Sequence, residues 1–235
     1  MPAGLKIMSA RAVMAPVKAC ASVFAQQRDV TFVFDFGPVG TIEEKLAAGD
    51  TGDVIILSRP AIAKLAETGK VDAGSVHALG RMSIGVAVRA GAPVPDISTP
   101  QAFEALLVAA RAIAVSDPAI GGTSAVYLPR LFERLGLTAA LEPKLRRQRG
   151  GGGDVASCVA RGEAEIGLTF ISEMLPIAGV VVAGPLPSAY GNDTVYCAAL
   201  PVNATALGIA RDFIGTLTAR ESREAWRAAG FTPPD

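Results

Sequence analysis

Val115-Ser-Asp-Pro-Ala-Ile-Gly-Gly-Thr-Ser-Ala-Val-Tyr-Leu-Pro-Arg-Leu131 reads as a strand end, a glycine-bearing turn and a helix start. Gly121 and Gly122 carry no Cβ, so the backbone there can approach another group closely. Thr123 and Ser124 are residue types that cap helices, and a helix start leaves N–H groups pointing outward. Such an end suits an anion. A similar strand–turn–helix pattern is read at three further places, which together predict a cleft for a small anion.

Upstream of that stretch, residues 5–8, 30–34 and 54–57 read as strands, and residues 10–26, 41–48 and 61–68 as helices. The first helix places Val13, Val17, Cys20 and Phe24 at helical spacing. Val54-Ile-Ile-Leu57 is a continuous apolar run of the kind buried in parallel sheets. The strand–helix alternation predicts a parallel sheet with right-handed crossovers. Residues 81–89 read as one longer extended segment, followed by a turn-rich stretch. Thr99 ahead of Pro100 starts a helix to residue 110, with a cap and then proline at the first helical position. Further strands are read at 111–115, 166–170, 180–183 and 194–199, and helices at 123–135, 154–161, 201–219 and 220–229. The tail 230–235 reads as irregular. Two such units joined by extended segments predict an α/β fold of two lobes. Residues 1–82 and 196–235 form one, residues 83–195 the other, with hinges near 80–85 and 187–195 and the ligand cleft between them.

The chain has 235 residues, of which 50% are apolar and 19% charged, so a packed core is expected. Twenty-two Lys and Arg balance 22 Asp and Glu, which argues against nucleic acid or an anionic membrane as the main partner. The short basic run Arg146, Arg147 and Arg149 reads as a solvated face. No run of about 18 apolar residues occurs, so no membrane insertion is expected. Residues 1–6 lack the basic and apolar regions of a signal peptide. The location therefore reads as cytoplasmic, or periplasmic if a signal peptide has been removed. Cys20, Cys158 and Cys197 have no CxxC spacing and read as buried free thiols. One histidine, His77, gives little support to a metal site or a Ser-His-Asp triad, and no metal or cofactor is expected.

Five motifs in order carry a resemblance. They are Lys6-Ile-Met-Ser-Ala-Arg-Ala-Val13, Phe36-Gly-Pro-Val-Gly-Thr-Ile42, Gly49-Asp-Thr-Gly-Asp-Val-Ile-Ile-Leu57, Arg161-Gly-Glu-Ala-Glu-Ile-Gly-Leu168 and the terminal Gly230-Phe231. Together they resemble the molybdate-type periplasmic solute-binding protein family over nearly the whole chain. The resemblance implies a type II periplasmic-binding-protein fold, with mostly parallel sheets and helices on both faces. It also implies two lobes that close around a small anion, and uptake through the membrane component of an ABC transporter. The ligand contacts it implies are Ser9, Ala10 and Arg11; Gly37, Val39 and Gly40; the turn from Asp117 through Gly121, Gly122, Thr123 and Ser124; Asp154 with Val155; and Thr169 with Phe170.

The chain departs from that family where Pro38 and Val39 replace a common serine and Phe170 stands where a tyrosine is expected. Arg11 and Arg59 add two guanidinium groups beside the presumed cleft. A guanidinium donates two parallel hydrogen bonds to a carboxylate, so a small organic carboxylate suits the chain as well as a tetrahedral oxyanion. Asp117-Pro-Ala-Ile-Gly-Gly-Thr-Ser124 and Val181-Val-Ala-Gly-Pro-Leu-Pro187 are similar to an outlying branch that includes an isomerase acting on aconitate. That alternative needs a base near the substrate carbon, for which Asp117, Glu173 and Ser9 are the candidates. A cytoplasmic ligand sensor is a third alternative, for which a DNA-binding segment is lacking. Plainer readings compete at several positions. Ser9 is a helix cap, Asp117 opens an Asp-Pro turn, and Gly150–Gly153 is a loop without the GK[ST] ending of a phosphate loop. Trp226 reads as core.

Overall fold

The structure is a computed structural model that describes residues 3–191 and 193–234. Met1, Pro2 and Asp235 of the expected termini, and Asn192 of the expected second hinge, lie outside the described residues. The chain divides into two compact units, Met1–Met82 with Thr194–Asp235, and Ser83–Asp193.

Unit 1 opens with β1 (Ala3–Ala10), α1 (Met14–Gln27), β2 (Val30–Gly37), α2 (Val39–Ala47), β3 (Val54–Ser58), α3 (Arg59–Glu67) and β4 (His77–Met82). Unit 2 follows with β5 (Ile84–Arg89), α4 (Pro100–Ala109), β6 (Ile113–Ser116), α5 (Thr123–Arg134), α6 (Thr138–Leu141), β7 (Leu145–Gln148), α7 (Gly152–Ala160), β8 (Ile166–Phe170), α8 (Ile171–Met174) and β9 (Val180–Pro185). The chain then returns to unit 1 as β10 (Thr194–Ala199), α9 (Leu207–Thr218) and α10 (Arg223–Ala228). Thr194 and Val195, expected in the second lobe, belong to β10 and so join unit 1.

Each unit has a five-stranded sheet, ordered β2-β1-β3-β10-β4 and β7-β6-β8-β5-β9. In each, three adjacent strands are parallel and two antiparallel pairings follow. The fold is thus α/β in each unit, as expected. β3 is buried at all five positions, as its apolar run predicts. On α1, Val17, Cys20 and Phe24 face inward at the expected spacing. Phe24 meets Phe213 of α9 edge-on at 5.5 Å, and Phe32 of β2 lies 4.9 Å from Phe213. Burying a phenyl ring fully contributes about 2 kcal/mol. Trp226 is core as expected, 6% exposed, and its indole N–H donates to the Leu217 carbonyl at 3.0 Å.

Four expectations of local structure are corrected. α2 starts at Val39 and α7 at Gly152, two residues earlier than expected in each case. Pro38 and Gly151 hold the N-cap positions without side-chain caps, so no polar residue marks either start. The extended stretch 81–89 is broken at Ser83 into β4 and β5, which belong to different units. The helix expected over 201–219 starts only at Leu207. The buried Asp53 carboxylate accepts from the N–H groups of Thr205 and Ala206, each at 3.2 Å, and from the Thr205 hydroxyl at 3.0 Å. Its other oxygen accepts from the Lys6 N–H at 2.9 Å. Thr205 and Ala206 therefore bond to a side chain ahead of the helix, and Ala206 takes the N-cap position.

Candidate functional site

The parallel strands of unit 1 end in register. Ser9 of β1 lies opposite Phe36 of β2 and Ile56 of β3, and Ala10 lies opposite Gly37. The helix starts that follow these strands therefore share one edge of the sheet. That edge carries Arg11, then Val39 and Gly40, then Arg59 at the first position of α3. Ser9 is fully buried, and its hydroxyl donates to the Ala10 carbonyl at 3.1 Å, so it caps no helix. Ala10 takes the N-cap position of a short 3-10 turn, Arg11–Val13. Gly37 and Val39 are buried, Gly40 and Arg11 half-buried, and Arg59 exposed. Arg59 also hydrogen-bonds the Cys197 thiol, whose pKa is nevertheless pushed up by burial. Cys20, Cys158 and Cys197 are all buried free thiols.

Unit 2 repeats the arrangement. Val115 of β6 pairs with Leu168 of β8, and Ser116 with Gln148 of β7, so Asp117, Arg149 and Phe170 end three parallel strands at one edge. Gly121 is left-handed at φ +66°, which lets the short turn Pro118–Ile120 pass directly into α5. Gly122 takes the N-cap position of α5 with no side-chain cap, and Thr123 and Ser124 form its first turn. The hydroxyls expected to cap are thus inside the helix, and that of the buried Ser124 lies 3.5 Å from the Thr169 hydroxyl. Thr169 is fully buried and donates to Glu173 Oε2 at 3.1 Å. Next to Glu173, the buried Ser172 hydroxyl has no hydrogen-bond partner among the described residues.

Gly152, the first residue of α7, packs against this group. A Cβ there would lie 2.2 Å from Glu173 Oε2 and 2.4 Å from Thr169 Oγ1, so only glycine lets the helix start come this close. Val155 does not present its side chain as expected. It is fully buried in a cluster with Ala114, Cys158, Val159 and Ala164, and its N–H donates to the Gly151 carbonyl at 3.2 Å. The early start of α7 places it two residues further along the helix than expected. Phe170 is 3% exposed at the N-cap of α8. The exposed Asp154 folds toward Gly150, where a Cβ would lie 1.8 Å from its Oδ2.

Asp117 is the expected turn residue. Its carboxylate accepts from the Ala119 N–H at 3.0 Å and from Arg149 Nε at 3.1 Å. Those two bonds, the backbone one first, hold its pKa below the ordinary carboxylate value, which makes it a weak base. Sequence reading missed a second set of residues in this unit. The Tyr127 hydroxyl donates to the Tyr190 carbonyl at 2.9 Å and accepts from Arg134 at 3.1 Å, while the Tyr190 hydroxyl donates to Glu104. These bonds tie the segment 188–190 to α4 and α5, and long separations of 63 and 86 residues left no local signal for them. Among the described residues no group of three or more His, Cys, Asp or Glu could hold a metal ion, and no helix is long and apolar enough to cross a membrane.

Comparison with known proteins fits this geometry. Residues 5–232 match a family model described as bacterial extracellular solute-binding protein. An aconitate isomerase from Pseudomonas sp. is 31% identical over 235 residues, covering 97% of this chain and 87% of that protein. A molybdate-binding protein from Mycobacterium bovis is 32% identical over 81 residues, 34% of this chain and 31% of that one. The periplasmic molybdate-binding protein of Azotobacter vinelandii superposes with a TM-score of 0.80 at 21% identity, covering 98% of this chain and 100% of that one. At that identity the last likeness speaks to fold alone.

Proposed function

The chain belongs to the bacterial extracellular solute-binding protein family, and from that premise we propose that it binds a small anion at the strand ends of its units. The carrying observation is the register. In each unit three parallel strands finish together and release helix starts at one edge. Helix starts contribute partial positive charge and N–H donors, and Arg11 and Arg59 add guanidinium forks suited to a carboxylate. A periplasmic location and delivery to the membrane component of an ABC transporter belong to the same reading. The test is a thermal-shift screen with molybdate, tungstate, sulfate, phosphate and a panel of di- and tricarboxylates. A ligand at about 100 times its Kd should stabilise the folded chain by about 2.7 kcal/mol, a clear shift. No shift with any anion defeats the proposal.

A second reading is favoured by one observation, the Glu173 carboxylate bonded to Thr169 at the end of β8. A carboxylate at a strand end can take a proton from the carbon between a double bond and a carboxylate, and return it at the far end of the allyl system. One C–H bond breaks, the double bond shifts, another C–H bond forms, and no proton is lost overall. The aconitate isomerase relative makes a tricarboxylate the first substrate to try. Proton NMR of cis- and trans-aconitate in D2O reads both conversion and deuterium uptake, and absence of both leaves the chain a binder.

A further inference from the structure

Among the described residues, the strands that border the two sheets are β2 and β4 in unit 1 and β7 and β9 in unit 2. A border strand presents unpaired N–H and C=O groups and pairs readily with another chain unless something guards it. Three of these four are guarded. On β4 the N–H and C=O of Arg81 are taken by Thr232, at 2.9 and 3.0 Å. β7 is four residues long and carries Arg146 and Arg147. β9 has a register irregularity against β5, then Gly184 at φ +149° and Pro185.

β2 has none of these devices. It runs for eight residues in unbroken register with β1 and contains no proline, lysine or arginine. Val33 is 57% exposed. Its one charge, Asp35, is met by Lys45 Nζ at 2.7 Å. Phe32, Phe34 and Phe36 project from one face, half-buried, with successive rings stacked 5.6 and 5.3 Å apart. Lys18 Nζ lies 5.5 Å from the centre of the Phe36 ring.

We infer that this edge pairs with the same edge of a second copy of the chain, antiparallel, about a two-fold axis at Phe34. The sequence of β2 is self-complementary in that register. Opposed residues of an antiparallel pair point to the same face. Phe34 therefore meets its own mate, and Phe32 meets Phe36 of the second copy, so the rings of both copies form one ladder. A slip of one residue sets the rings against Thr31, Val33 and Asp35 instead. On the other face each Asp35 falls opposite Val33, so no like charges confront each other. Lys18 comes beside a second ring, Phe32 of the other copy. A foreign strand would have to bring an aromatic ladder of its own, whereas a second copy already carries it. Three half-open rings of about 150–250 Å² each, with Val33 and the strand backbone, cover roughly 500 Å² on each copy. About 1,000 Å² in all is the least a specific interface needs, so the dimer should be weak, with a Kd of about 10 µM.

Sedimentation velocity of the full chain from about 1 to about 100 µM tests this. The chain should pass from monomer to dimer across that range. Phe34→Lys sets two lysines opposite each other at the axis and should weaken association about 100-fold. Far-UV circular dichroism establishes that the variant folds. Phe34→Cys gives a second reading without adding a charge to the strand. Opposed Cβ atoms lie about 5 Å apart and the native thiols are buried, so mild oxidation should link two copies of Phe34→Cys into a covalent dimer. Thr31→Cys, exposed but away from the axis, should not link. A chain that stays monomeric up to about 100 µM overturns the inference. So does a dimer that survives Phe34→Lys, or one that links equally well through Thr31→Cys. None of these results touches the small-anion reading.

Discussion

In unit 1 the strand ends deliver guanidinium groups, with Arg11 following β1 and Arg59 following β3. In unit 2 the same three-strand arrangement delivers hydroxyls and a carboxylate, Ser124, Thr169 and Glu173. The scaffold is therefore common and the chemistry is not. A register of parallel strands fixes where helix starts lie, and the one or two residues after each strand decide what those starts offer. Unit 1 offers donors with full positive charge. Unit 2 offers neutral hydroxyls beside one carboxylate.

The contrast is exposed most strongly by removing the unit 1 cations. Arg11→Ala combined with Arg59→Ala should weaken binding of the best anion by about 100-fold or more, since charge-assisted bonds are the strong ones. Calorimetry reads this, and a loss under threefold would erase the distinction between the units. Next in size is Asp53→Ala, at the opposite ends of the strands. It leaves the N–H groups of Lys6, Thr205 and Ala206 without the buried carboxylate they share and should cost about 2 kcal/mol in urea unfolding. Anion affinity should stay within about twofold, because the tie holds α9 and no strand end of the candidate site. Gly152→Ala should come third. The new Cβ must displace Glu173 and Thr169, so affinity for the best anion should fall about tenfold, with a stability loss of about 1 kcal/mol. An unaltered affinity would mean that the start of α7 is no part of the site.

The smallest expected effect lies in acid. The Ala119 N–H and Arg149 lower the folded pKa of Asp117 below its ordinary 3.8. The stability this adds is present above that value and is lost as the pH falls through the lowered one. Thermal melts from pH 5 to pH 2 should show a shallower acid limb in Asp117→Asn than in the wild type. Equal limbs would mean that the turn carries no such linkage.

The sequence made the scaffold legible and the chemistry only partly so. Apolar runs such as Val54–Leu57 and the spacing of Val17, Cys20 and Phe24 report burial directly, because period and burial are properties of adjacent residues. Helix starts were misplaced at Val39 and Gly152 because proline and glycine precede them and no capping side chain marks them. The glycine turn Gly121–Gly122 was readable, since one of its residues needs a positive φ. The partners of its hydroxyls were not. Ser124 meets Thr169 across 45 residues, and no local pattern encodes such a pair. Val155 lies two residues further along its helix than expected and is core. Glu173 was visible as an acid after a strand, yet its close contact with the start of α7 depends on a missing Cβ at Gly152, which reads in sequence as one glycine among four.

Unit 2 is one continuous stretch of chain, whereas unit 1 is made from two, and β10 is laid down between β3 and β4. The pairing of Tyr196 with Ser58 closes a loop of about 140 residues. During synthesis, then, unit 2 has all its strands while the sheet of unit 1 still lacks one of its middle members. Unit 2 should organise early from its nearer contacts, and the completion of unit 1 should set the slow phase of folding. Until that moment β3 and β4 present unpaired edges, which makes the last 42 residues, 194–235, the segment whose loss most exposes the chain to aggregation.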